Sequence, residues 1–104
     1  MSIIKGILEE ELKRLEELSV FYKDKLSECP RGSISVKERG GNRYIYLARR
    51  EGKKVVFDYV GKDIPKVRDA LDERLSQRKE YDAKLRQVKE NLREVKRSLH
   101  GKRT

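Results

Sequence analysis

The sequence predicts an α+β fold: two long helices that fold back as an antiparallel coiled-coil hairpin, with a three-stranded antiparallel β-meander at the tip. Three observations predict it. Apolar residues recur at alternating spacings of three and four before residue 30 and again after residue 63. Between those stretches the period drops to two, and β-branched and aromatic residues take over. The composition is 36% hydrophobic and 43% charged. That is too polar for a compact globule, where roughly 45–50% is apolar, but ordinary for helices that bury one stripe. With 104 residues, the chain is expected to form a single domain, 1–104.

The first helix is expected over 3–29. Leu8, Leu12, Leu15, Ser19, Tyr22, Leu26 and Cys29 make a heptad seam with one polar interruption, Ser19. Glu9, Glu10, Lys13, Glu16, Glu17 and Lys23 form the solvated side. Gly6 weakens the first turn by about 1 kcal/mol relative to Ala, and Pro30 and Gly32 stop the helix. Residues 33–60 form the meander, with strands over 34–37, 43–49 and 55–60. Gly40-Gly41-Asn42 and Glu51-Gly52-Lys53 are the tight turns, rich in residues that accept positive φ.

The second helix is expected over 64–100. Asp63 reads as its N-cap and Pro65 suits its first turn. Ile64, Val67, Leu71, Arg74, Arg78, Tyr81, Leu85, Val88, Leu92, Val95 and Leu99 keep one seam, and Gly101 is a natural stop. At ~1.5 Å per residue the helices span about 40 and 54 Å. Folding them together sets Ser19 near Arg74 and Arg78, a polar layer of the kind that fixes register; the arginines can equally snorkel to solvent. The surplus length of the second seam leads us to expect a homodimer.

Several classes are set aside. No apolar run approaches the ~20 residues of a membrane span. Met1-Ser2-Ile3-Ile4-Lys5 followed by Glu9-Glu10-Glu11 does not read as a secretory signal. One cysteine, Cys29, cannot make an internal disulfide and points to a reducing cytoplasm. One histidine and one cysteine cannot assemble a metal cluster or a nucleophile–base set. We therefore expect no enzyme, no cofactor and no metal.

Charge is the informative feature. The net charge is +9, which attracts polyanions. It is unevenly placed: residues 1–29 carry −2, residues 30–62 carry +6 and residues 63–104 carry +5. In the middle segment the cations are interleaved with Tyr44, Tyr46, Phe57 and Tyr59. Lysine and arginine neutralise phosphates, and aromatic rings stack on bases or pack on sugars. A small antiparallel sheet can also lie in the DNA major groove. Lys37 and Arg39 share one face of the first strand. In the second, Tyr44, Tyr46 and Arg50 share a face opposite Arg43, Ile45, Leu47 and Arg49; the pattern leaves open which face packs on the helices.

Arg31 to Lys37, Tyr44 to Leu47, Gly52 to Val55 and Tyr59 to Lys62 resemble the middle of small prokaryotic and phage-borne proteins that place a hairpin before a charged helix, a likeness that brings no activity with it. The same stretch is loosely similar to the arm-binding domain of tyrosine recombinases. That resemblance implies a small basic sheet entering the DNA major groove. It covers about 30 of the 104 residues and rests on glycines, tyrosines and lysines. The recombinase domain ends in one short helix, whereas this chain is expected to have two long ones.

The expected function is nucleic-acid binding, with duplex DNA favoured over RNA. The contact residues we single out are Arg31, Lys37, Arg39, Arg43, Tyr44, Tyr46, Arg49, Arg50, Lys53, Lys54 and Lys62 in the sheet zone, and Arg93, Lys96 and Arg97 on the second helix. The alternative is a protein-interaction module, such as an adaptor, a ribosome-associated factor or a phage-type inhibitor, using the seam or the sheet edge. A membrane partner is not expected, because the apolar stripe is a narrow seam and not a broad face.

Overall fold

A computed structural model of the chain describes residues 2–100. It contains α1 (Ile3–Glu28), β1 (Ser33–Arg39), β2 (Asn42–Glu51), β3 (Lys54–Lys62) and α2 (Pro65–Leu99). The fold is α+β, with one antiparallel sheet in the order β1-β2-β3. Each expected element is present, within a few residues of its expected ends. Gly101, expected to stop α2, and the basic Lys102 and Arg103 lie outside the described residues. No helix among the described residues is long and apolar enough to cross a membrane.

The residues divide into two compact units. Among the described residues, one holds residues 2–28 and 79–100, the other residues 29–78. The first is helical. Ser2 caps α1, its Oγ accepting the Lys5 N–H at 3.2 Å. Leu15 and Ser19 of α1 are buried, as are Leu85 and Val88 of α2, while Leu8, Leu12, Tyr22, Leu26, Tyr81, Leu92, Val95 and Leu99 are half-buried. Glu11, Leu18, Lys25, Asp82 and Asn91, beside the seam positions, are half-buried too. The rings of Tyr22 and Tyr81 meet at 6.2 Å.

The second unit is the sheet with the first part of α2. Two-residue turns join the strands. Arg39 pairs with Asn42 around Gly40-Gly41, both at positive φ, the arrangement that matches the right-handed twist of the flanking strands. Upstream, Gly32 adopts φ +125°, and a Cβ there would stand 2.7 Å from the Ala48 carbonyl oxygen. Only glycine lets the chain leaving α1 pass so close to β2. In β3 one extra residue, Val60, bulges between the Tyr46–Tyr59 and Ile45–Gly61 pairs. Its side chain packs on the core of Ile45, Leu47 and Leu71, together with Ile34, Val67 and Leu75.

Two details differ from the sequence reading. Asp63 is not the N-cap of α2. The first helical hydrogen bond runs from the Arg68 N–H to the Ile64 carbonyl, so Pro65 holds the first helical position. The Asp63 carboxylate instead receives a two-bond fork from the Arg68 guanidinium, at 3.1 and 3.3 Å. A charge-assisted fork competes well with one backbone N–H for the same oxygens. The seam of α2 also does not run unbroken from Ile64. Ile64 and Arg74 are exposed and Arg78 is half-buried. Over this stretch the residues against the sheet are Val67, Leu71 and Leu75, four apart.

Candidate nucleic-acid interface

Strand pairing sorts the side chains of the sheet onto two faces, since residues directly opposite one another share a face and neighbours alternate. Ile45 and Leu47 of β2 are buried against Leu71. With Ile34 and Val36 of β1 they define the face covered by α2. The other face carries Lys37 and Arg39 of β1, Asn42, Tyr44, Tyr46, Ala48 and Arg50 of β2, and Val55, Phe57, Tyr59 and Lys62 of β3. The tyrosines therefore lie on the side away from the core, and the question left open by the alternation of β2 is answered by the packing of α2.

The charges separate in the same way. Glu38, Glu51 and Asp58, the three carboxylates of the strands, all fall on the helix-side face, together with Arg43, Arg49 and Lys54. There Asp58 and Glu51 share one cation. Arg49 donates from Nε to Asp58 and from Nη1 to Glu51, each at 2.6 Å. These bonds raise the Arg49 pKa above its already high ordinary value, Asp58 contributing more than Glu51. The same guanidinium holds the Asp58 carboxyl below the usual carboxylate range, with Arg31 adding a smaller attraction. The open face carries Lys37, Arg39, Arg50 and Lys62 and no acid.

Aromatic rings fill the middle of that face. Tyr59 stands edge-on to Tyr46 at 5.5 Å and tilted against Tyr44 at 6.3 Å, distances at which ring quadrupoles attract. The Lys37 ammonium reaches across β2, 3.7 Å from the centre of the Phe57 ring and 4.9 Å from that of Tyr46. Much apolar surface remains in water: Tyr59 is 61% exposed, Val55 50% and Phe57 44%. The cations sit at the two ends, Arg39, Lys37 and Lys62 beside the first turn and Arg50 near the second. Tyr44 and Arg50 lie about 20 Å apart along the strand, from ~3.4 Å per residue.

The residues singled out from the sequence thus fall into four groups. Lys37, Arg39, Tyr44, Tyr46, Arg50 and Lys62 are brought together on the open face. Arg43, Arg49 and Lys54 point to the helix side, where Arg49 is held by two carboxylates. Arg31 precedes β1 and Lys53 sits in the second turn, both exposed. Arg93, Lys96 and Arg97 belong to the helical unit, and Arg93 faces Glu90 at 3.6 Å. The sequence reading does not single out Phe57 and Tyr59 as contacts, although Val55, Phe57 and Tyr59 share a period-two face that pairing with β2 turns outward.

On the helix side, a groove of about 470 Å³ lies between β3 and α2, lined by Leu47, Val60, Val67 and Leu71 among others. Its lining is mostly apolar and includes Tyr59 and two cations, Lys66 and Arg74. Among the described residues no three His, Cys, Asp or Glu side chains could hold one metal ion.

No curated protein and no solved structure matches the chain, and nothing in these comparisons links it to recombinase arm-binding domains. A family model does match, over residues 3–69. Those residues hold α1, the whole sheet and the first turn of α2, so the open face lies entirely within the shared part. The match spans well over half of the chain, which belongs to the family described as a domain of unknown function, DUF6788.

Proposed function

We propose that the chain is a small nucleic-acid-binding protein whose contact surface is the open face of the sheet. One observation carries the reading: four cations and four aromatic rings share that face with no carboxylate, while every acid of the strands is turned to the other side, where Arg49 holds Asp58 and Glu51. Unneutralised cations release counterions when they meet phosphates. Arg93, Lys96 and Arg97 on α2 supply a second, less focused positive patch. No group in this reading performs chemistry, and no cofactor is needed.

Binding of a labelled nucleic acid at low and at physiological salt tests the reading. Affinity is expected to fall steeply with salt, and to fall more with Lys37→Ala or Arg50→Ala than with Lys13→Ala or Lys23→Ala. The Arg43→Ala and Arg49→Ala variants, on the covered side, are expected to matter less than the open-face pair. Absence of binding at low salt overturns the reading.

We also propose that α1 and the second part of α2 pair as an antiparallel coiled coil, supported by burial at the seam residues Leu15, Ser19, Leu85 and Val88. Ile3, Ile4 and Ile7 at the start of α1 stay largely in water, Ile3 at 84%. That surface favours a protein contact there, which we read as a homodimer in the cytoplasm. Light scattering with Ile4→Asp and Ile7→Asp separates it from a monomer.

A further inference from the structure

We infer that the open face takes nucleic acid as an unpaired strand, with bases stacked on Phe57 and Tyr59. The inference rests on the nucleic-acid reading above and names the form of ligand that the face accepts. In a duplex the base faces are stacked on one another, and only base edges and phosphates meet a protein. Such a surface gives nothing to Val55, Phe57 and Tyr59, whose apolar surface is about half exposed. An unpaired strand presents flat base faces that can cover them, and every base has such a face, so stacking of this kind tolerates any sequence.

The layout fits that ligand. Aromatic rings occupy the middle of the face and cations its two ends, so bases can lie over rings while phosphates meet Arg39, Lys37 and Lys62 on one side and Arg50 on the other. Tyr46 and Tyr44 brace Tyr59 through their ring contacts, which lowers the entropy lost when a base settles on it. The Lys37 ammonium now sits against the Phe57 ring at 3.7 Å. A base arriving on Phe57 takes that place, and the displaced ammonium passes to a neighbouring phosphate. The free protein thus keeps its ring covered by the charge that the ligand will use.

The test measures binding of a fluorescein-labelled mixed-sequence oligonucleotide as a single strand, in DNA and in RNA form, and as a duplex of the same sequence. The protein has five tyrosines and no tryptophan, so its intrinsic emission reports on tyrosine alone. The expected result is binding of single strands at least ~10-fold tighter than of the duplex, with tyrosine emission quenched by the single strand only. Phe57→Leu and Tyr59→Leu are each expected to weaken single-strand binding by about 5- to 100-fold, with duplex binding unchanged and circular dichroism like that of the wild type. If the duplex binds as tightly as the single strand and both variants are silent, while Lys37→Ala and Arg50→Ala weaken every form, the stacking inference is overturned and the nucleic-acid reading survives. If no form binds at low salt, both fall.

Discussion

The two faces of the sheet are built from the same three strands, yet they treat charge and apolar surface in opposite ways. Facing α2, Ile45 and Leu47 are buried, and Arg49 lies between two carboxylates, Asp58 and Glu51. On the open side Phe57 and Tyr59 stay largely in water, and the Lys37 ammonium meets ring faces. A face that serves stability puts its apolar groups out of water and neutralises its charges. The open face does neither, and both omissions become favourable terms once a polyanion with flat apolar parts arrives. The contrast assigns stability to the covered face and, on the proposed reading, binding to the open one, and it can be broken by four measurements.

The largest difference is expected in stability. Leu47→Ala empties a buried site and is expected to cost 2–5 kcal/mol, roughly, in urea denaturation. Phe57→Ala on the opposite side should cost roughly 1 kcal/mol or less. Equal costs would mean that the open face is also core. Next is the close approach that lets β2 sit where it does. Gly32→Ala places a methyl group 2.7 Å from the Ala48 carbonyl at a φ of +125° and is expected to destabilise by about 1–3 kcal/mol. An unchanged melting temperature would show that this segment is free to move away.

A smaller effect separates the cations. Lys37→Ala is expected to reduce the slope of log affinity against log salt by about one, and Arg43→Ala to leave it nearly unchanged. Equal slopes would erase the distinction between the faces. The smallest effect is on acid sensitivity. Asp58 titrates below its ordinary value of 3.8 in the folded protein, chiefly through its bond from Arg49. Its contribution to stability is therefore fully present above that ordinary value and is lost as the pH falls through the lowered folded value. Asp58→Asn should be less stable at neutral pH, with a shallower loss below pH 3.8. Identical acid profiles for the two proteins would show that the pair does not couple to folding.

Much of this was legible in the residues. The heptad spacing of Leu8 to Cys29 marks the covered side of α1, because a regular helix must put residues three and four apart on one stripe whatever it packs against. Gly40-Gly41 and Gly52 mark the turns, because few other residues accept the backbone those turns need. The charge asymmetry needs only arithmetic. The face of β2 that packs was not legible, because Tyr44 and Tyr46 on one side and Ile45 and Leu47 on the other are both apolar enough to be core. The role of Asp63 was hidden as well: an acid before a proline-led helix resembles a cap until Arg68 is seen to occupy its oxygens.

The sequence by itself determined the elements, their order, the positions of the turns and the sign of the charge, since each depends on spacings within about ten residues. Only the tertiary structure decided which side of the sheet α2 covers. That choice rests on Val67, Leu71 and Leu75 meeting Ile34, Ile45 and Leu47 across some twenty to forty residues of chain, a contact that no local period encodes. Once it is made, strand alternation sends every strand carboxylate to one face and leaves Lys37, Arg39, Arg50, Lys62 and the aromatic rings on the other.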